Sequence, residues 1–151
     1  MRYCYGLFRL FFLVMITALT ACTTTPVSVP ANAPLSAAVL VGPEWIVTVV
    51  EGVPLVQNPR PRLRWSSMDN FSGSGGCNSF HGQALITGNS LRVVALVPVG
   101  KPCLSEPGSQ EDLFFKALET ARKIRIESGQ LQLLGEEGQV LLRLVRAVNN
   151  P

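Results

Sequence analysis

The sequence predicts an α+β domain: a single curved antiparallel sheet, open-barrel-like, with one amphipathic α-helix. Three features predict it. Short β-branched and aromatic segments recur between Gly, Pro and Asn turns, one stretch repeats its apolar residues at helical spacing, and two final apolar segments flank a Gly-Glu-Glu-Gly turn. Several strands followed by one helix and a hairpin leave that helix to plug a strongly bent sheet. No internal repeat is evident.

Each element has a local cause. Trp45 to Val50 is β-branched and aromatic, which suits a pleated, half-buried surface, and Gly52-Val53-Pro54 turns the chain after it. Arg60 to Trp65 alternates with period two, placing Arg60, Arg62 and Arg64 on one face and Pro61, Leu63 and Trp65 on the other. Phe71 to Ser74 leads into Gly75-Gly76-Cys77-Asn78, whose glycines and Asn tolerate the backbone of a tight turn. Phe80 to Thr87 and Leu91 to Val97 flank Gly88-Asn89 and form the clearest hairpin. Ser109 is placed to cap a helix with Glu111 and Asp112 in its first turn, where the helix dipole favours negative charge. Leu113, Ala117, Leu118 and Ala121 share its apolar face, and Lys116, Arg122 and Lys123 occupy the remainder. Gln130 to Leu134 and Gln139 to Val145 close the domain.

The amino terminus carries different information. Arg2 and Arg9 precede the uncharged apolar run Leu10 to Leu19, the layout of an export signal. That run is about half the ~20 apolar residues that a membrane-spanning helix needs. Leu19-Thr20-Ala21-Cys22 resembles a bacterial lipobox, so residues 1–21 read as a lipoprotein signal peptide and Cys22 as the lipidated first residue of the mature chain. One acyl chain binds a membrane marginally and two or more hold it stably, so the multiple, palmitate-type acylation that the lipobox resemblance implies is expected to make release negligible. Thr23 stands where an Asp would direct retention at the inner membrane, so the expected location is the outer membrane, facing the periplasm. Residues 22–40, poor in charge and interrupted by Pro26, Pro30 and Pro34, read as a flexible tether. Residues 41–148 are left as the folded domain.

Of the 13 basic residues, Arg2 and Arg9 leave with the signal, so 11 remain against 10 acidic ones. A near-neutral mature chain has no electrostatic case for nucleic acid as a partner. Its cysteines reduce to Cys77 and Cys103, which in an oxidising compartment are expected to pair. A bond across roughly 26 residues contributes about 3.5 kcal/mol in the chain-entropy picture.

Other chemistry is poorly supplied. Cys77, His81 and Cys103 fall short of the four ligands of a structural zinc site, so neither metal nor cofactor is expected. A Cys-His nucleophile pair lacks a third group to orient its base. Gly75-Gly76 is followed by neither a helix start nor the Lys-Ser/Thr of a phosphate loop. Arg60, Arg62 and Arg64 form a candidate anionic-lipid site, against the plainer reading of a solvated, aggregation-resistant face. Trp45, Trp65, Phe80, Phe114 and Leu118 are candidates to line an apolar pocket between sheet and helix, or to fill a core there.

Taken together, Arg60-Pro61-Arg62-Leu63-Arg64-Trp65, Phe71-Ser72-Gly73, Gly76-Cys77-Asn78-Ser79-Phe80-His81-Gly82 and Cys103 with Glu111, Phe114 and Leu118 resemble the META domain family, which includes HslJ-like heat-shock lipoproteins. The resemblance spans about Glu44 to Val145. It implies a curved antiparallel sheet with one helix, a shape likened to that of lipid-binding pilotin lipoproteins, and no catalytic reaction. Val99 departs from it, standing where the family usually carries a Thr four residues before the second Cys. The expectation is a non-enzymatic, monomeric envelope lipoprotein with a structural, binding or stress-response role, attached to the membrane by its lipid and meeting an envelope protein or lipid there. The alternative is a pilotin-like carrier or chaperone for an acyl chain or a partner's apolar segment. A thiol oxidoreductase or Cys-His hydrolase ranks last.

Overall fold

Burial alternates along strand Arg62–Trp65 and the first part of strand Ser79–Thr87 and separates an inner from an outer face of the sheet, whereas the closing strand Gln130–Leu134 is buried at four successive positions. The computed structural model describes residues 35–55, 59–99 and 109–148. Within them are two helices, α1 (Ala37–Leu40) and α2 (Gln110–Thr120), and nine strands: β1 (Glu44–Val50), β2 (Val53–Pro54), β3 (Arg62–Trp65), β4 (Asn70–Ser74), β5 (Ser79–Thr87), β6 (Ser90–Val99), β7 (Lys123–Glu127), β8 (Gln130–Leu134) and β9 (Val140–Arg146). Leu63 and Trp65 point inward from β3, Phe71 from β4, and Phe80 and Ala84 from β5, while Arg62, Arg64, His81 and Gln83 face outward.

All strand pairings are antiparallel, in the order β2-β1-β3-β4-β5-β6-β7-β8-β9, and β1 also pairs with β9. The sheet therefore returns on itself as a ring. It is not a continuously bonded barrel, because β6 meets β7 through the single pair Ser90↔Lys123, flanked by bonds from Leu91 N–H to Arg122 C=O and from Ile124 N–H to Asn89 C=O. Helix α2 packs beside this seam, touching β6, β9 and β1. The expected curved sheet carrying an amphipathic helix is what the chain forms.

Helix α2 starts where its cap chemistry directs. The Ser109 hydroxyl accepts from Asp112 N–H at 3.3 Å, and Lys116 pairs with Asp112 one turn on at 2.8 Å. Phe114, Ala117 and Leu118 are buried, and the helix ends at Thr120.

Three elements depart from expectation. The tether is shorter than its composition suggests: Leu40 is fully buried at the end of α1, its carbonyl accepts from Trp45 Nε1, and Leu35 packs on the core. A one-turn helix is too brief to show periodicity, so only its burial reveals it. Lys123 lies in β7, a strand that completes a three-stranded closing unit where a hairpin is expected; its charged ends mask the apolar Ile124 and Ile126. Val53-Pro54, expected as turn, adds two residues of pairing to β1.

Gly82 shows how tightly the inner face is packed. A Cβ there would lie 2.2–2.6 Å from three ring atoms of Phe71, its cross-strand partner. Gly82→Ala must displace a buried ring that also meets Trp65 at 4.6 Å and Phe80 at 6.0 Å. Overpacking of this kind costs about 1–3 kcal/mol. Urea unfolding of the variant should show a lowered midpoint with an unchanged slope, and an unchanged midpoint would mean that Phe71 has room to move.

Candidate functional site

The Gly-Cys-Asn turn is organised by a carboxylate from the helix. Glu111, in the first turn of α2, is buried at 7 % exposure and reaches across to the β4–β5 connection. Its Oε1 accepts from Cys77 N–H at 3.1 Å and Asn78 N–H at 2.6 Å, and its Oε2 accepts from Asn78 Nδ2 at 2.6 Å. Gly75 N–H donates to Asn78 C=O at 2.8 Å and closes the turn. Gly75 must be glycine for a steric reason: a Cβ would stand 2.7 Å from the Glu111 Cγ and Oε1 and 2.9 Å from the Phe115 ring.

This arrangement redefines several sequence candidates. The backbone N–H groups of Cys77 and Asn78, which a phosphate bound at this turn would need, are turned to the protein's own carboxylate. Cys77 is held in a disulfide, so it offers no thiolate to a Cys-His pair. Its expected partner, Cys103, lies outside the described residues, as does Cys22. Among the described residues no three His, Cys, Asp or Glu side chains gather as metal ligands would. Glu111 reads from sequence as a first-turn acid matched to the helix dipole and as one residue of the family resemblance; the Glu-to-turn contact spans 33 and 34 residues, and no local pattern announces it.

The arginine row is divided. Arg62 and Arg64 share the outer face of β3, but Arg62 is paired with Glu44 of β1 at 3.5 Å. Arg60 precedes the strand and is partly buried, with its Nε enclosed. Three equivalent guanidiniums on one face are therefore not formed, because regular pairing of this strand begins at Arg62. The five apolar candidates do come together: Trp45, Trp65, Phe80, Phe114 and Leu118 all lie in one buried cluster at 1 % exposure or less. Phe80 meets the rings of Phe114 and Phe115 at 5.8 and 5.4 Å, in tilted and edge-to-face contacts favourable to aromatic pairs. Val99 lies on the outer face of β6 opposite Ser79, where its side chain is exposed.

Glu111→Gln separates charge from shape at the clasp. The amide keeps one acceptor oxygen but turns an NH2 toward donors that the carboxylate satisfied. Losing charge-assisted bonds and leaving a buried donor unpaired costs about 1.5–3 kcal/mol. Thermal unfolding should show that loss, while Glu119→Gln, at an exposed position on the same helix, should leave stability within about 0.5 kcal/mol.

Solved structures share this architecture at low identity. A protein solved by NMR aligns with a TM-score of 0.56 and 20 % identity over 74 % of this chain and 94 % of its own. An NMR structure of a protein from Burkholderia xenovorans aligns with a TM-score of 0.55 and 19 % identity over 83 % and 99 %. The crystal structure of a DUF4847 family protein from Bacteroides vulgatus aligns with a TM-score of 0.55 and 15 % identity over 75 % and 98 %. No curated protein sequence matches the chain. The META domain model matches residues 38–148, from within α1 to the end of the described fold, and on that match the chain belongs to the META domain family.

Proposed function

We propose that this protein is a non-enzymatic cell-envelope lipoprotein whose META domain is held at the periplasmic face of the outer membrane by acylated Cys22, where it serves a structural or binding role. The observation that carries this reading is Leu19-Thr20-Ala21-Cys22 at the end of a short uncharged apolar run. The disulfide at Cys77 supports it, since such bonds persist in oxidising compartments such as the periplasm. Among the described residues no helix is long and apolar enough to cross a membrane. The family's association with stress responses suggests when such a domain is needed. A carrier holding an acyl chain between sheet and helix has less support, because the aromatic side chains in that space pack against one another.

The test is to express the full chain and its Cys22→Ser variant in a diderm bacterium supplied with labelled palmitate. The wild type should take up label and sediment with outer-membrane vesicles; the variant should carry no label and retain its leader. An unlabelled wild type, or a variant processed and membrane-bound like the wild type, would overturn the reading. In the same preparations, a Cys77 thiol that reacts fully with alkylating agent before reduction would remove the proposed Cys77–Cys103 bond.

A further inference from the structure

The outer face of the sheet carries a depression that none of the roles above employs. It is an open groove of about 680 Å³ over β4, β5 and β6. Pockets that hold small ligands commonly measure about 300–1,000 Å³. Two cross-strand rows build it. Ser72, His81 and Val97 are successive partners in one, and Asn70, Gln83 and Ala95 in the other. Within a row, successive side chains stand on strands about 4.8 Å apart. Beside the rows, the register between β5 and β6 shifts after Gln83, so that Val94 is the additional residue of a bulge, the kind of irregularity that bends a strand and re-aims its side chains.

The chemistry of the lining is divided by strand. On the β4–β5 side stand a hydroxyl, an imidazole and a carboxamide from Ser72, His81 and Gln83, whose side chains make no hydrogen bond among the described residues. At the end of the groove Asn70 is fixed, its Nδ2 donating to Ser67 Oγ at 3.1 Å and Asp69 Oδ1 at 2.9 Å, which leaves its Oδ1 as an acceptor. On the β6 side the wall is apolar, and Val97 is 56 % exposed. Groups that both donate and accept, facing an apolar wall, match a ligand with hydroxyls along its edges and C–H groups on its faces. That is a pyranose chain. An acyl chain would need an enclosed apolar channel. A peptide added as a strand would need an open sheet edge, whereas the backbones under this groove are paired with one another.

We propose that this groove binds a short glycan, with Ser72, His81 and Gln83 bonding to its hydroxyls and Val97 packing against a sugar face. Arg64 extends the Ser72–His81 row by one strand, is exposed, and has no ion pair among the described residues. It is placed at the rim to meet an acidic substituent. Glycans of the envelope are the natural source, a choice that rests on the lipoprotein reading; the chemistry of the groove does not.

The experiment is calorimetric titration of the detergent-solubilised full chain with two probes: neutral tetra-N-acetylchitotetraose and carboxylate-bearing peptidoglycan fragments released by muramidase digestion. Both should bind saturably, the acidic fragments more tightly. His81→Ala with Gln83→Ala, two exposed side chains of an outer face, should weaken both at least tenfold, with a thermal unfolding midpoint equal to that of the wild type as the check on folding. Val53→Ser, exposed on β2, should change neither. Arg64→Glu should weaken the acidic fragments several-fold and leave the neutral tetramer alone. No saturable binding of either probe, or undiminished binding by the folded double variant, overturns the groove; an equal effect of Arg64→Glu on both probes removes Arg64 from it. The lipid anchor at Cys22 is read separately by palmitate labelling, so neither result depends on the other.

Discussion

The Glu111 carboxylate is the contact on which the geometry of this domain depends. One buried side chain accepts two backbone N–H groups and one side-chain amide from the β4–β5 turn, and it does so from the first turn of α2. Bonds to an ionised acceptor are roughly twice as strong as neutral ones, and burial raises the penalty for leaving any of them unmade. The clasp therefore sets where the helix begins relative to the sheet. It also explains why Gly75 and Asn78 stand where they do: Gly75 lets the carboxylate approach, and Asn78 supplies both a backbone and a side-chain donor. The disulfided Cys77 between them ties the same turn covalently.

With the helix so placed, its apolar face reaches the interior of the ring. Phe114 and Phe115 meet Phe80, Phe80 meets Phe71, and Phe71 meets Trp65, giving an aromatic chain that runs from α2 across β5 and β4 to β3. These contacts tie α2 to β3, β4 and β5, while beside the seam where hydrogen bonding narrows to one residue pair between β6 and β7 the helix itself touches β6. Large buried rings dominate the energetics of such an interior. Closure of the ring is thus shared between β1–β9 pairing on one side and helix packing on the other.

The two faces of the sheet divide the work. The inner face is filled with Trp, Phe and Leu side chains, whereas the outer face of β3 to β6 carries arginine, serine, histidine and glutamine, with valines along β6. Recognition chemistry that leaves the core undisturbed belongs on the second. In the proposed setting the attachment to the membrane is supplied by lipid at Cys22, since a mature chain with 11 basic and 10 acidic residues has little electrostatic attraction for an anionic surface.

The sequence by itself determined much of what neighbours along the chain govern. The Gly88-Asn89 hairpin, the Ser109 cap, the alternation from Arg62 to Trp65 and the burial of Ala117 and Leu118 depend on spacings of two to four residues and formed as the local pattern required, whereas Arg60 fell outside its strand and the helix stopped at Thr120, short of Ala121, Arg122 and Lys123. The membership of Trp45, Trp65, Phe80, Phe114 and Leu118 in one interior was legible because large apolar side chains leave water wherever the chain permits. Tertiary structure decided what depends on distant partners. Burial of Leu40 turned the end of an apparent tether into the first element of the fold. Cross-strand pairing divided the arginine row and assembled Ser72, His81 and Gln83 from two strands into one groove. The same holds for Glu111, which reads as an ordinary first-turn acid until folding carries the Gly-Cys-Asn turn, more than 30 residues earlier, into its reach. A carboxylate's role is set by the donors that surround it, and those are supplied here by the path of the whole chain.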